Sequence, residues 1–217
     1  MTTNVTADEI SKAYGLLDQK NKKEGLKSFQ ELLILAPDNM SVVNGAAIAY
    51  QINGKYKEAI KLYDLFLQKT GGTAVALHNM SLCYLKLNKD STVEPFEERA
   101  VQLDSKNAEF LASLGFIKYR LNKLDEARAA FEQFTSIVPD EPDAIVMLGQ
   151  IAWRLAAKSD FKSNAEKAVY YAEKAYRLKP NKWLARRIVM LSYLFRGNLA
   201  RAIMTGIGLW PVRPKTP

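Results

Sequence analysis

The sequence predicts an all-α fold in which short helix pairs stack one on the next, with about 12 helices and no strands. Three observations predict it. The first is a period of 34 residues that divides the chain without gaps into 6–39, 40–73, 74–107 and 108–141. A block of 41 residues, 142–182, and a partial block, 183–210, follow. The second is a small residue followed four positions later by a ring in the second half of a block, as in Gly25 and Phe29, Ala59 and Tyr63, and Ala127 and Phe131. The third is a proline at one fixed place near the block's end, in Pro37, Pro139 and Pro180. A small residue lets two helices approach and a ring one turn on fills the gap between them. A proline ends the second helix because it cannot continue the hydrogen-bond ladder. Each pair leaves an apolar face that only a neighbouring pair covers, so the pairs are expected to stack as a solenoid.

The elements follow in order. Thr6-Ala7-Asp8-Glu9 reads as a capping box that opens the first helix. In the second block Ala46-Ala47 with Tyr50 marks the first helix, Asn53-Gly54 the turn, and Gly71 takes the place of the closing proline. The third block carries Met80-Ser81 with Tyr84, then a turn at Asn88-Lys89. Its second helix is expected to start at the capping box Ser91-Thr92-Val93-Glu94, with Pro95 inside the first turn, and its ring, Phe96, comes one position early after Val93. Ser105 closes that block. The fourth has Leu114-Gly115 with Lys118, and a turn at Asn122-Lys123. The fifth has Leu148-Gly149 with Ala152, a capping box at Ser163-Asn164-Ala165-Glu166, and Ala168 and Ala172 beside Tyr171. Its extra residues fall in Ala156–Lys162, as a longer loop or an extra helical turn, with Phe161 as the residue to touch a ligand if the loop does. In the partial block Gly197-Asn198 marks a turn, and Ala202 is followed by Gly206 where a ring belongs.

Composition narrows the function classes. At 48% hydrophobic and 25% charged residues the 217-residue chain has ordinary globular values. The start, Met1 to Thr6, shows no secretory signal, and no apolar run is long enough to span a membrane, so a cytoplasmic protein is expected. The single Cys83 cannot form an internal disulfide and lies at core spacing on a helix. With one histidine, His78, no phosphate loop and no nucleophile or zinc motif, no catalytic residue, metal or cofactor is expected. Carboxylates such as Glu97-Glu98 and Asp125-Glu126 are expected on solvated helix faces. The charge is uneven. Residues 174–217 hold ten Lys and Arg and no Asp or Glu, against +8 for the whole chain, so the first 173 residues are together slightly acidic.

With these repeats on the page, residues 6–205 resemble the tetratricopeptide repeat family, the clearest copy running from Leu111 through Leu114-Gly115, Leu124-Asp125-Glu126-Ala127 and Phe131 to Pro139. The resemblance implies a right-handed α-α superhelix of five full repeats and a partial sixth over 6–210, and a protein-binding scaffold rather than an enzyme. It implies that first helices line a concave groove. The positions carried over from the family are Asn44 and Ile48 in the second block, His78 and Leu82 in the third, Phe116, Tyr119 and Arg120 in the fourth, and Gln150, Trp153 and Arg154 in the fifth. The carboxylate clamp of one subclass, which grips acidic chaperone tails, is absent: Ile10, Tyr14, Ile48, Glu109 and Ser113 stand where it needs amide and cationic groups.

The expected partner is another protein, plausibly acidic, held as a segment in the groove of a scaffold or adaptor. A second reading, by resemblance to small secretion chaperones, is a dedicated chaperone for secreted or assembling subunits. A third is nucleic-acid or anionic-membrane binding by the basic end, with Trp183 and Trp210 near its cations. Arg186 and Arg187 mark the polar side of a helix at 183–196, and no seventh repeat covers Met204, Ile207 and Trp210 beyond it. That C-terminal helix is therefore expected to be an interface for self-association, a partner or a membrane surface, the alternative being that it folds back on its own last repeat. Residues 211–217, with three prolines, are expected to form an extended, flexible tail.

Overall fold

Turns set where these helices begin and end. In the computed structural model, which describes residues 5–17, 21–179, 183, 186, 187 and 189–191, all regular structure is helical. The helices are α1 (Ala7–Gly15), α2 (Lys22–Leu35), α3 (Met40–Ile52), α4 (Tyr56–Thr70), α5 (Ala74–Lys86), α6 (Asp90–Leu103), α7 (Ala108–Arg120), α8 (Leu124–Ile137), α9 (Pro142–Ala156) and α10 (Phe161–Leu178). Residues 183, 186, 187 and 189–191 are helical as well. The first helix of a pair ends on a left-handed residue at the same place in three blocks: Gly54 at φ 74°, Asn88 at φ 55° and Asn122 at φ 62°. Glycine reaches that region freely, and asparagine tolerates it better than other side chains. At each turn two N–H groups reach back to the helix end. Gly54 N donates to Gln51 O and Lys55 N to Tyr50 O, and the same pair of bonds recurs at Asn88-Lys89 and Asn122-Lys123. This is the Schellman arrangement, which satisfies otherwise orphaned carbonyls.

The other boundary is equally periodic. The last residue of each block caps the next first helix through its side chain: Asn39 accepts from Ser41 N and Val42 N, Thr73 from Ala76 N, Asn107 from Glu109 N and Phe110 N, and Glu141 from Asp143 N. The capping box at Thr6 and Glu9 is present, with Glu9 reaching back to Thr6 N at 2.7 Å.

The two inner capping boxes are not where the sequence pattern puts them. Helix α6 starts at Asp90 behind the Lys89 turn residue, so Ser91 is its second residue, and Pro95 is its sixth rather than a member of the first turn. The Schellman turn delivers the chain already in helical register, and no side-chain cap forms at Lys55, Lys89 or Lys123. At α10 the cap is Asp160, in the left-handed region at φ 36°, whose carboxylate accepts from Ser163 N. The seven extra residues lengthen helices more than the loop: α9 has 15 residues against 13 in α7, and α10 has 18 against 14 in α8. Phe161 becomes the exposed first residue of α10.

Contacts divide the chain into two compact units, Met1–Ser105 and Lys106–Pro217. In the first, Phe29 packs with Ala13, Val42, Ala46 and Ala49, and Tyr63 with Val43, Ala47, Ala59, Met80 and Cys83. In the second, Ile145 and Val146 of α9 and Ala172, Ala175 and Tyr176 of α10 enclose Val189. The role of small residues is visible at Gly115, where a Cβ would stand 2.8 Å from the Phe131 ring. No helix among the described residues is long and apolar enough to cross a membrane.

One carboxylate departs from expectation. Glu97 is fully buried rather than solvated, and it occupies the ring position of the third block, the place of Phe29, Tyr63 and Phe131 in theirs. Ser81 Oγ donates to its Oε2, and His78 Nδ1 lies 2.8 Å from its Oε1. The polar partners on α5 explain how a carboxyl group survives there, since a buried polar group without partners is costly. The displaced ring, Phe96, instead stacks on Tyr84 with centroids 5.7 Å apart.

Candidate protein-binding site

In the second unit, helix α7 buries Phe110, Leu111 and Ile117. Residues 116, 119 and 120, spaced one turn apart, are left on another face. Phe116 is 42% exposed, Tyr119 is half-buried and Arg120 is exposed. Helix α9 buries Ile145, Leu148 and Ile151, and leaves Gln150, Trp153 and Arg154 half-buried. The two faces meet. The Tyr119 hydroxyl donates to Gln150 Oε1 at 3.2 Å, and the Arg154 guanidinium carbon stands 4.7 Å from the Tyr119 ring centroid. Arg154 Nη2 donates to Asn122 Oδ1 at 2.8 Å, which ties the guanidinium to the left-handed turn residue. Arg120 lies over Phe116 at 5.8 Å. Tyr119, Gln150, Arg154 and Asn122 thus form one connected group of ring, amide and cation, Phe116 and Arg120 form a second pair on α7, and Trp153 lies beside Arg154 in the sequence of α9.

The corresponding positions of the first unit hold one cation, the exposed Lys86 at the register of Arg120 and Arg154. Asn44, Ile48 and Leu82 are half-buried. Tyr14 is hydrogen-bonded to Asn44, and burial raises its phenol above the usual value. The Tyr63 hydroxyl donates to Gln51 Oε1 at 2.6 Å and also meets the Asn79 side chain, while burial pushes its phenol far up. His78 does not face outward. It is 3% exposed, turned into the α5–α6 pair toward Glu97, because the carboxylate at the ring position draws it inward.

Among the C-terminal residues, Arg186 is half-buried, and Arg187 is exposed with its guanidinium 5.8 Å from the ring of Trp183, itself 65% exposed. Met204, Ile207 and Trp210, the turn at Gly197-Asn198, Pro180 and the 211–217 tail lie outside the described residues.

Sequence reasoning missed two participants. Asn122 was read only as a turn, and its Oδ1 is also the anchor of Arg154. The Ser81–Glu97 contact had a signal: a polar residue stands at each of two positions that are small or aromatic in the other blocks. Cys83 is buried, and desolvation pushes its thiol up to about 12, so the thiolate is suppressed.

Several known proteins share this architecture. The chain is 24% identical to YrrB, a TPR protein with an unusual peptide-binding site, over 83% of this chain and 90% of that one, with a TM-score of 0.71. It is 19% identical to MamA over 75% of this chain and 91% of that one, with a TM-score of 0.68. These likenesses show the tetratricopeptide solenoid fold. Among curated proteins, it is 29% identical over 131 residues to the CTR9 homolog of Arabidopsis thaliana, covering 57% of this chain. It is 38% identical over 87 residues to tetratricopeptide repeat protein 37 of Xenopus laevis, covering 40% of this chain. The matches span only 12% and 6% of those two much longer proteins. The family model for the N-terminal TPR repeats region of Psidin matches residues 9–142. That match takes in more than half of the chain, and with the recurring caps, turns and small-to-ring contacts it makes this protein a member of the tetratricopeptide repeat family.

Proposed function

We propose that this protein is a non-enzymatic scaffold that holds a segment of a partner protein on the α7–α9 face. The observation that carries the reading is the Tyr119, Gln150, Arg154 and Asn122 array. Four side chains on two helices and a turn are tied into one arrangement beside the exposed Phe116 and the half-buried Trp153. Aromatic and arginine side chains dominate binding energy at interfaces, and groups already ordered lose little freedom on binding. The test is a displayed peptide library panned on the full chain. Enriched peptides should lose about tenfold in affinity on the Tyr119→Ala/Trp153→Ala variant. The helical circular dichroism should persist. A selection that enriches nothing, or peptides that bind the double variant as tightly, would remove the reading.

The exposed Trp183–Arg187 pair favours a second contact. The segment from Lys174 onward, rich in cations and without an acid, docks the scaffold on an anionic surface. Sedimentation with vesicles of anionic lipid, and gel shift with a homopolymeric RNA, read this directly. Binding should weaken with salt, because exposed charges are screened beyond about 8 Å at physiological ionic strength. Loss of neither probe on the Trp183→Ala/Arg187→Gln variant would count against it.

A further inference from the structure

We infer that the segment held on the α7–α9 face presents a carboxylate next to an apolar side chain, and that Arg154 is the principal receiver of that carboxylate. The inference rests on the scaffold reading above and deepens it. Both groups that hold Arg154 in place, the Asn122 amide oxygen and the Tyr119 ring, are neutral. They fix the guanidinium without cancelling its charge. A guanidinium has five N–H donors in a planar fork, and the bond to Asn122 uses one of them. A fork whose orientation is already set is the geometry that matches the two oxygens of a carboxylate. The side chain is half-buried, so part of its hydration is already lost, and an incoming anion replaces it.

Arg120 stands at the same place in the preceding repeat, exposed and paired with the Phe116 ring. The apolar half of the ligand is set by Phe116, exposed at 42%. A ring open to solvent on the helix that carries Tyr119 suits a side chain such as Leu or Phe flanked by Asp or Glu. A polyanion suits the segment from Lys174 onward, where the surplus cations lie, whereas the single guanidinium held by Asn122 and Tyr119 suits one carboxylate recognised at contact distance. At the register of Arg120 and Arg154 the first unit carries Ile52 and the exposed Lys86, and an ammonium is a point charge without the planar fork, so the two-oxygen preference belongs to α7 and α9.

A carboxylate can come from an Asp or Glu side chain or from a chain's C-terminus, and the test separates them. Peptides taken from the enriched pool are synthesised with each acid kept or changed to its amide, and with free or amidated C-termini. Their affinities are measured on the wild type, Arg154→Lys and Arg154→Gln, each checked by thermal melt. The expected result is an excess of Asp and Glu in the pool, and a loss of about tenfold on the wild type when the critical carboxylate is neutralised. The same change should have no effect on Arg154→Gln. Arg154→Lys should fall between, because the charge stays and the fork is lost. A penalty carried only by C-terminal amidation assigns the carboxylate to the chain end. A pool with no acid excess, or an acid-to-amide penalty equal on wild type and Arg154→Gln, overturns the inference and leaves the scaffold reading standing. Complete displacement of the peptides by homopolymeric RNA overturns it as well. An empty selection removes the scaffold reading itself.

Discussion

The third and fourth repeats are built on the same frame and filled differently. Both first helices start behind a capping residue, Thr73 or Asn107, and both end on a left-handed asparagine, Asn88 or Asn122. Inside that frame, one contact is made by Gly115 against the Phe131 ring, and its counterpart by Ser81 against the Glu97 carboxylate. The fourth repeat keeps Phe116 and Arg120 outward. The third turns its histidine inward. The difference teaches that caps and turns set helix register independently of what fills the space between helices. It also shows the condition for a polar filling: the carboxyl group needs polar partners on the facing helix, and here Ser81 donates to it and His78 Nδ1 lies at hydrogen-bond distance.

The comparison can be broken most severely at Glu97. Replacing it by Ala leaves a cavity and strips His78 and Ser81 of their shared acceptor. Opening a cavity and removing a buried hydrogen-bond acceptor together cost about 3–5 kcal/mol. For a chain of this size that lowers the melting temperature on the order of 10 °C, at roughly 2–4 °C per kcal/mol. Glu97→Gln should lose less, since the amide keeps an acceptor. A Glu97→Ala melt within 2–3 °C of wild type, of the order of 1 kcal/mol, would show that the network does not hold α5 to α6.

The matching test in the fourth repeat is Gly115→Val. Its side chain enters the space of the Phe131 ring, and overpacking of this kind costs about 1–3 kcal/mol. Adding Phe131→Leu should return part of the loss. If the two changes are strictly additive, the small-to-ring contact is not what joins α7 to α8.

A smaller and more selective effect is expected at Asn122. Asn122→Gly keeps the left-handed turn and should leave the melting temperature within about 1 °C, because glycine adopts that region without a penalty. The anchor of Arg154 is lost, so affinity for acidic library peptides should fall a few-fold while the thermal melt stays put. An equal fall for neutral peptides would show that Asn122 acts on the whole face and not through Arg154.

The smallest signal is at Cys83. With its thiol pushed up to about 12 by desolvation, native protein should react with an aromatic disulfide reagent only through opening. The wild type should therefore stay unlabelled at pH 8 on a timescale of minutes, and unfolded chain should label at once. Glu97→Ala, loosening α6 from the helix that carries Cys83, should label faster than wild type. Equal rates would separate the polar network from the packing around the thiol.

Much of the fold was readable from residue spacing, and particular residues show why. Gly54, Asn88 and Asn122 recur at one register because the backbone there needs a left-handed residue, a local demand that a sequence pattern records. Thr6 to Glu9 reads correctly as a cap for the same reason. The boxes at Ser91 and Ser163 fail because a cap depends on where the preceding turn leaves the chain, and Lys89 and Asp160 precede them into the helix. In the candidate site the family register brings Tyr119, Gln150 and Arg154 together and pairs Phe116 with Arg120, while His78, at the same register, turns inward to Glu97. Periodicity says which way a Cβ points. It does not say what waits for the side chain's end.

By itself, then, the order of residues determined an all-helical stack with a 34-residue period, its family, and the uneven charge that leaves no acid after Glu173. These follow from local backbone chemistry and from counts, which need no partner to be present. The tertiary structure decided that Glu97 lies in the core, that His78 turns to it, and that Arg154 is held between a tyrosine face and a turn amide. Those outcomes depend on groups 16 to 32 residues apart in sequence meeting at hydrogen-bond distance. Burial and charge are settled between such groups, and neither is a property of any one of them alone.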